Sequence, residues 1–118
     1  MSYRKLRVWQ CAFQANLGVY KKIKPSPIID RSLMDQTRRA AVSVILNIAE
    51  GYSRDSLKEK VRFLDIAYAS ANETQAALSI IQGLLDSEDA ELQELYNRYE
   101  SICKQLFVFK QKLKSHIK

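Results

Sequence analysis

Glycine and proline, the two residues that most strongly favour turns, are scarce: the 118-residue chain has three glycines and two prolines. An all-β fold needs a turn about every 8 to 12 residues, usually built on glycine, proline or asparagine. Hydrophobic residues make up 47% of the chain and charged residues 27%, a balance that argues against disorder. The sequence therefore predicts one all-α domain over residues 1–118, able to bury roughly two-thirds of its unfolded surface.

Apolar residues recur at intervals of three and four, which is the spacing of one helix face. Four helices with short connections favour an antiparallel up-down-up-down four-helix bundle. Fusion of the second and third helices into one is the alternative, and it would give a three-helix fold. The first helix would bury Leu6, Trp9, Phe13, Leu17 and Tyr20. The predicted helices cover about residues 3–24, 28–50, 56–85 and 88–115.

Capping residues set the predicted boundaries between these helices. Ser26 or Asp30 would cap the second helix, because each side chain can accept a free backbone N–H. Gly51 would end that helix. Ser56 opens a capping box for the third helix, which argues against the three-helix alternative. The fourth helix would begin at one of two acceptor residues, Ser87 or Asp89.

The second helix has a narrow polar face. Its polar side chains fall within an arc of about 80°. All the remaining residues between Arg39 and Glu50 are apolar. The far side, with Val42 and Leu46, needs a second cover, since exposed apolar patches usually mark interfaces. We expect either a homo-oligomer that uses helices two and three as its subunit contact, or a monomer in which these two helices are the most buried. The polar face consists of Gln36, Arg39, Ser43, Asn47 and Glu50.

The same segment carries a family resemblance. Residues 36–43 read QTRRAAVS and residues 47–54 read NIAEGYSR. These stretches resemble the QxRRAAxS and NIAEGxxR signature of the bacterial 23S rRNA intervening-sequence proteins. The resemblance spans nearly the whole chain, and the sequence is also similar to the accessory variability protein of diversity-generating retroelements. Further matches are Leu6, Val8, Trp9, Phe63, Leu64, Ile66, Ala67, Ser70 and Glu73.

The resemblance implies a four-helix up-down bundle, commonly assembled as a barrel-like homopentamer, with a nucleic-acid-binding role and no enzyme activity. It also marks candidate interface or structural positions beyond the polar face. Three positions depart from the family pattern: Ile45 replaces a common proline, Lys60 a common aromatic residue and Ala69 a common glycine. The additional candidate positions are Val42, Leu46, Arg54, Ser70 and Glu73.

The net charge of +6 is unevenly distributed. Residues 1–29 hold six basic side chains and no acidic one, and the residues after Glu100 hold five basic and no acidic side chains. The start of the first helix and the end of the fourth meet at one end of an antiparallel bundle, so we expect a single basic surface there. Clustered cations bind phosphates without reading sequence. The candidate residues are Arg4, Lys5, Arg7, Lys110, Lys112, Lys114 and Lys118.

This surface predicts binding of structured RNA or DNA, or of a partner that processes nucleic acid. Tyr3 and Trp9 lie nearby in sequence and could stack on bases, although Trp9 also fits the apolar core. The alternatives are a solvated lysine-rich surface and an interaction or scaffold protein without nucleic-acid contact.

The residue patterns of enzymes and metal sites are missing from the sequence. His116 is the single histidine, and there is no P-loop, Gly-rich dinucleotide turn or HExxH motif. Glu50 and Glu73 would pair with Arg39 or Arg54 rather than bind metal. We therefore expect no enzyme activity, cofactor, metal or small-molecule substrate.

Cysteine usage and hydropathy bear on the cellular location. Cys11 and Cys103 form no CxxC motif and imply no disulfide framework. No apolar run approaches the roughly 20 residues of a membrane span, and no signal peptide follows the basic N-terminus. These features predict a cytoplasmic protein without membrane contact.

Overall fold

Four helices account for most of the computed structural model, which describes residues 2–86 and 88–117. No strand occurs in these residues, and the all-α prediction is confirmed. Ser87, a predicted cap, and Lys118, a predicted basic-surface residue, lie outside the described residues. A 3-10 turn covers Tyr3–Lys5, and the helices are α1 (Arg7–Lys22), α2 (Arg31–Ser53), α3 (Leu57–Leu85) and α4 (Ala90–Lys114).

Neighbouring helices run antiparallel, because residues early in one helix meet residues late in the next. Helices α1/α4, α2/α3 and α3/α4 are each antiparallel, so the bundle has up-down-up-down topology, with extents of 51 × 21 × 19 Å. Each helix packs on two neighbours, which puts the α1/α4 side opposite the α2/α3 side. The residue pairs that fix the directions are Cys11–Gln105 and Gly18–Leu95, Ser43–Ser70 and Gly51–Phe63, and Gln75–Tyr96 and Asp65–Lys110.

The core lies along the bundle axis, and α3 and α4 turn apolar faces towards it. On α3, Leu64, Leu78 and Ile81 are almost completely buried. On α4, Tyr99 and Leu106 are completely buried. The first-helix prediction is wrong for Phe13 and Tyr20, which are exposed, whereas Leu6 and Trp9 are partly buried against the core. The buried face of α1 consists of Val8, Ala12, Ala15, Asn16 and Val19.

Small side chains explain the orientation of α1. The Cβ of an alanine at Gly18 would lie 2.6 Å from the Leu95 Cδ2 atom, so α1 and α4 approach closely there. The aromatic residues that we predicted as core lie on the flank of α1 instead. Trp9 is half-buried between Tyr3 and Phe13, with ring centroids 5.0 and 5.1 Å away.

The helix boundaries differ from the predicted ones in α1 and α2. The first helix was predicted over residues 3–24, but α1 begins only at Arg7 and ends at Lys22. Ser26 accepts the N–H groups of Ile28 and Ile29 in the loop, and Asp30 is the cap of α2. Gly51 does not end α2, which continues to Ser53. The predicted range of residues 28–50 is therefore displaced by three residues at each end. The predicted Ser56 and Asp89 caps are confirmed, and the third and fourth helices begin within two residues of the predicted positions.

Candidate nucleic-acid interface

The start of the chain presents three exposed cations at one end of the bundle. Ser2 caps the 3-10 turn by accepting the N–H of Arg4 at 3.2 Å. The Gln10 side chain donates to the Arg4 carbonyl oxygen at 2.8 Å and ties this turn to α1. Arg4, Lys5 and Arg7 are all exposed. Their backbone is thus held in place while their side chains extend into solvent.

The end of α4 contributes Lys112 and Lys114, which are exposed. Lys110 is different, and the prediction that it contacts phosphate does not fit its position. Only 10% of its side chain is accessible, and its Nζ atom donates to Asp65 at 2.7 Å. The same Nζ lies 4.3 Å from the centroid of the Tyr68 ring. Lys110 is therefore a structural cation that joins α4 to α3.

The connection between α2 and α3 adds basic residues that the sequence analysis missed. The guanidinium carbons of Arg54 and Arg62 lie 4.8 and 4.4 Å from the centroid of the Phe63 ring. Lys60 donates from Nζ to the Tyr52 carbonyl oxygen at 2.8 Å. The end of α2 and the start of α3 share the bundle end that carries the start of α1. The predicted antiparallel topology could have revealed them, because it places the basic side chains within residues 54–62 at the same end of the bundle as the two chain ends.

Three of the carboxylates at this end have basic partners, while Asp55 in the α2–α3 connection is exposed. Glu50 accepts from Arg54, and Glu59 accepts from Arg62 Nε at 2.7 Å. The hydrogen bond from Arg62 holds the pKa of Glu59 below its usual value. Asp65 is the partner of Lys110. These pairings neutralise acidic groups next to the exposed cations and leave the end of the bundle with an excess of positive charge.

A groove of about 540 Å³ lies between α1 and α4 near the basic end. Its floor is apolar, with Leu6, Val8, Val108 and Phe109. Its cations are Arg7, Lys104 and Lys112, and all three are exposed. Lys104 was not among the predicted site residues. It could have been found from its spacing, because Lys104 and Lys112 are eight residues apart and share one face of α4.

The opposite end of the bundle has mixed charge. Lys21, Lys22 and Lys24 end α1 or follow it, and acidic residues surround the start of α4. A hydrogen bond from Arg98 and the nearby charge of Lys22 lower the pKa of Glu94. The basic residues of the first 29 positions are therefore divided between two ends, and only one end is strongly basic.

The predicted polar face of α2 contains a hydrogen-bond network that reaches α3. The hydroxyl oxygens of Ser43 and Ser70 lie 2.8 Å apart. Asn47 donates from Nδ2 to the Ser43 carbonyl oxygen at 2.8 Å and to its hydroxyl at 3.0 Å. The remaining predicted positions Gln36, Arg39 and Glu73 are exposed. The structure thus brings Ser43, Asn47 and Ser70 together and leaves the three charged or amide side chains in solvent.

The outer face of α2 has an exposed apolar centre. Leu46 is 62% exposed, and Val42 is half-buried beside it. Both line a groove of about 610 Å³ with Arg39, Ser43 and Asn47. On α3, Ile66, Ile80 and Leu84 are also exposed. The exposed apolar surface was predicted, but Val42 and Leu46 lie next to the polar face and towards Tyr20 of α1 rather than on the far side of α2.

The groups with reactive side chains are scattered. Cys103 is buried, and burial together with the charge of Glu100 raises its pKa to about 11. Cys11 is half-buried and accepts from Gln105, while His116 is exposed. Within residues 2–86 and 88–117 there is no group of three or more His, Cys, Asp or Glu side chains that could hold a metal ion. None of the helices in these ranges is long and apolar enough to cross a membrane.

These observations define a class: a small, all-helical four-helix bundle with basic residues concentrated at one end. The chain matches the family model of the 23S rRNA-intervening sequence protein over residues 4–108, and it belongs to this family. The resemblance read from QTRRAAVS and NIAEGYSR is therefore confirmed. This family is not a known class of enzymes. No curated protein matches the chain.

Proposed function

We propose that this protein is a non-enzymatic, oligomeric four-helix bundle that binds structured RNA or DNA through its basic end. The supporting observation is the convergence of cations from the start of α1, the α2–α3 connection and the end of α4. Phosphates bound there release counterions, which gives affinity without sequence readout. A nucleic-acid-processing protein could be recruited to the same complex, and an interaction or scaffold protein without nucleic-acid contact is the alternative.

A charge-reversal pair tests the proposal. In one variant, Arg4, Lys5 and Arg7 are changed to Glu. In the control variant, Lys21, Lys22 and Lys24 are changed to Glu, which gives the same change in net charge at the other end of the bundle. Binding of a labelled RNA hairpin is measured by fluorescence anisotropy, and folding of both variants is checked by circular dichroism.

We expect the first variant to lose binding and the control to retain most of it. The affinity of the wild-type protein should fall linearly with salt on a double-logarithmic plot. Equal losses in the two variants would show that net charge alone attracts the RNA. Absence of binding at low salt, with purified material free of nucleic acid, would favour the scaffold alternative.

The proposed assembly uses the exposed apolar surface of α2 and α3, and family resemblance suggests a homopentamer. Leu46→Glu puts a charge at the centre of that surface, and the 62% exposure of Leu46 means that the monomer should still fold. Ile28→Glu is the control, since Ile28 is 56% exposed but lies in the loop before α2. Light scattering should give five times the 13.6 kDa chain mass for wild type and control, and a smaller mass for Leu46→Glu. A monomeric wild-type protein would contradict the assembly.

A further inference from the structure

The groove between α1 and α4 combines an apolar floor with a set of cations, and a double helix cannot contact both at once. Val108 is 52% exposed although it is aliphatic, and it shares the floor with half-buried Leu6 and Phe109. Lys104 lies four residues before Val108 and Lys112 four residues after it, so all three are on the same face of α4. This spacing puts about 12 Å of helix between the two lysines, with the apolar side chain midway.

The wall formed by α1 adds a third cation opposite this row. Arg7 is exposed and lies between the floor residues Leu6 and Val8 in sequence. Of the residues that the structure describes, three cations, four apolar residues and one glutamine line the groove, and no carboxylate does. Its occupant must therefore carry negative charge on one side and an apolar, flat or flexible group on the other.

Unpaired nucleotides have this combination of groups. Their phosphates can contact the lysines and the arginine, while their unstacked bases are free to enter an apolar groove. In a duplex the base faces are stacked inside the helix, and only the phosphates could reach the protein. We propose that the α1/α4 groove binds unpaired nucleotides, so that this protein prefers single-stranded or looped segments to continuous duplex. The inference rests on the proposed nucleic-acid-binding function and specifies the part of the nucleic acid that is bound.

The test compares a labelled single-stranded oligonucleotide with a blunt duplex of the same total number of nucleotides, at one ionic strength. The groove variant is Val108→Asn, which removes the apolar contact without changing charge. The matched control is Phe107→Asn: Phe107 is 48% exposed on α4 but faces Tyr68 of α3, with ring centroids 6.5 Å apart. A third variant, Lys104→Gln, removes one groove cation.

We expect the wild-type protein to bind the single strand at least about tenfold more tightly than the duplex, since base stacking and apolar contacts add to the phosphate contacts. Val108→Asn should reduce this preference severalfold and leave duplex binding unchanged, whereas Phe107→Asn should leave both unchanged. Lys104→Gln should weaken binding and reduce the salt slope by about one.

Four results would overturn the inference. Equal binding of single strand and duplex, or no effect of Val108→Asn, would show that the groove does not take bases, even if the reversal of Arg4, Lys5 and Arg7 still abolishes binding. Binding of an acidic amphipathic peptide in the groove, without competition from either oligonucleotide, would assign it to a protein partner. Absence of binding to both oligonucleotides would reject the proposed function itself and the inference with it.

Discussion

Gly51 provides a sensitive test of the packing between α2 and α3. In Gly51→Ala, the new Cβ would lie 3.1 Å from Phe63 Cβ and 3.3 Å from the Lys60 carbonyl oxygen. Both atoms are fixed to the backbone of α3, so the helices themselves must move apart. Overpacking of this kind costs about 1–3 kcal/mol, and alanine recovers about 1 kcal/mol of helix propensity. We therefore expect a net loss of about 1 kcal/mol of unfolding free energy.

Gly83→Ala is the control, because a Cβ at Gly83 would meet no atom of the described part of the chain within 4 Å. There the helix propensity should appear as a gain of about 0.5–1 kcal/mol. For a chain of this length, 1 kcal/mol corresponds to a change of about 4 °C in Tm. Thermal unfolding followed by circular dichroism, at one protein concentration, should give a lower Tm for Gly51→Ala and a higher Tm for Gly83→Ala. If Gly51→Ala were stabilised as much as Gly83→Ala, the close approach of α2 and α3 would be refuted.

Three further predictions concern buried polar groups. Tyr99→Phe should raise stability by about 1 kcal/mol in urea unfolding, because the buried Tyr99 hydroxyl has no hydrogen-bond partner among residues 2–86 and 88–117. Asp65→Asn should lower the unfolding free energy by about 1–2 kcal/mol, because it leaves the buried Lys110 cation without its carboxylate. Lys110→Met should lower it less, since no buried charge is then left unpaired, and a double-mutant cycle measures the difference. A thiol reagent should modify half-buried Cys11 before buried Cys103. Burial raises the pKa of Cys103 to about 11, so between pH 9 and 11 its thiol ionises only in the unfolded chain and the unfolding free energy should fall as pH rises. In Cys103→Ala the loss of stability between pH 9 and 10 should be smaller, whereas the loss above pH 10 should remain, because burial also raises the pKa of Tyr99.

The number and type of the helices could be predicted from the sequence because the relevant signals are local. The caps at Asp30, Ser56 and Asp89 each accept backbone N–H groups two or three residues later, so a short window contains the whole interaction. The helix end predicted at Gly51 was wrong for the opposite reason, because α2 continues to Ser53. A glycine suggests a helix end locally, but here it allows close approach to Phe63, which is distant in sequence.

The orientation of α1 shows a second limit of sequence periodicity. Two apolar faces were available on this helix, one with large aromatic residues and one with alanine and valine. Hydrophobicity favours the aromatic face, yet α1 approaches α4 closely at Gly18, where an added Cβ would lie 2.6 Å from Leu95 Cδ2. Likewise, Lys110 could not be separated from its exposed neighbours by charge alone, because its partner Asp65 lies on another helix.

The topology also separates the two proposed surfaces. The Leu46 groove is lined by α2 and by Tyr20 of α1, whereas the Val108 groove lies between α1 and α4 and shares no residue with it. A subunit contact centred on Leu46 is therefore expected to leave the groove at Val108 open. Every added subunit would then add one complete groove and one basic end. A long nucleic acid that engages several grooves at once gains affinity through effective concentration, without any new contact in each groove. Assembly would accordingly determine how tightly a long nucleic acid is held, while the preference for unpaired nucleotides would be a property of the single chain.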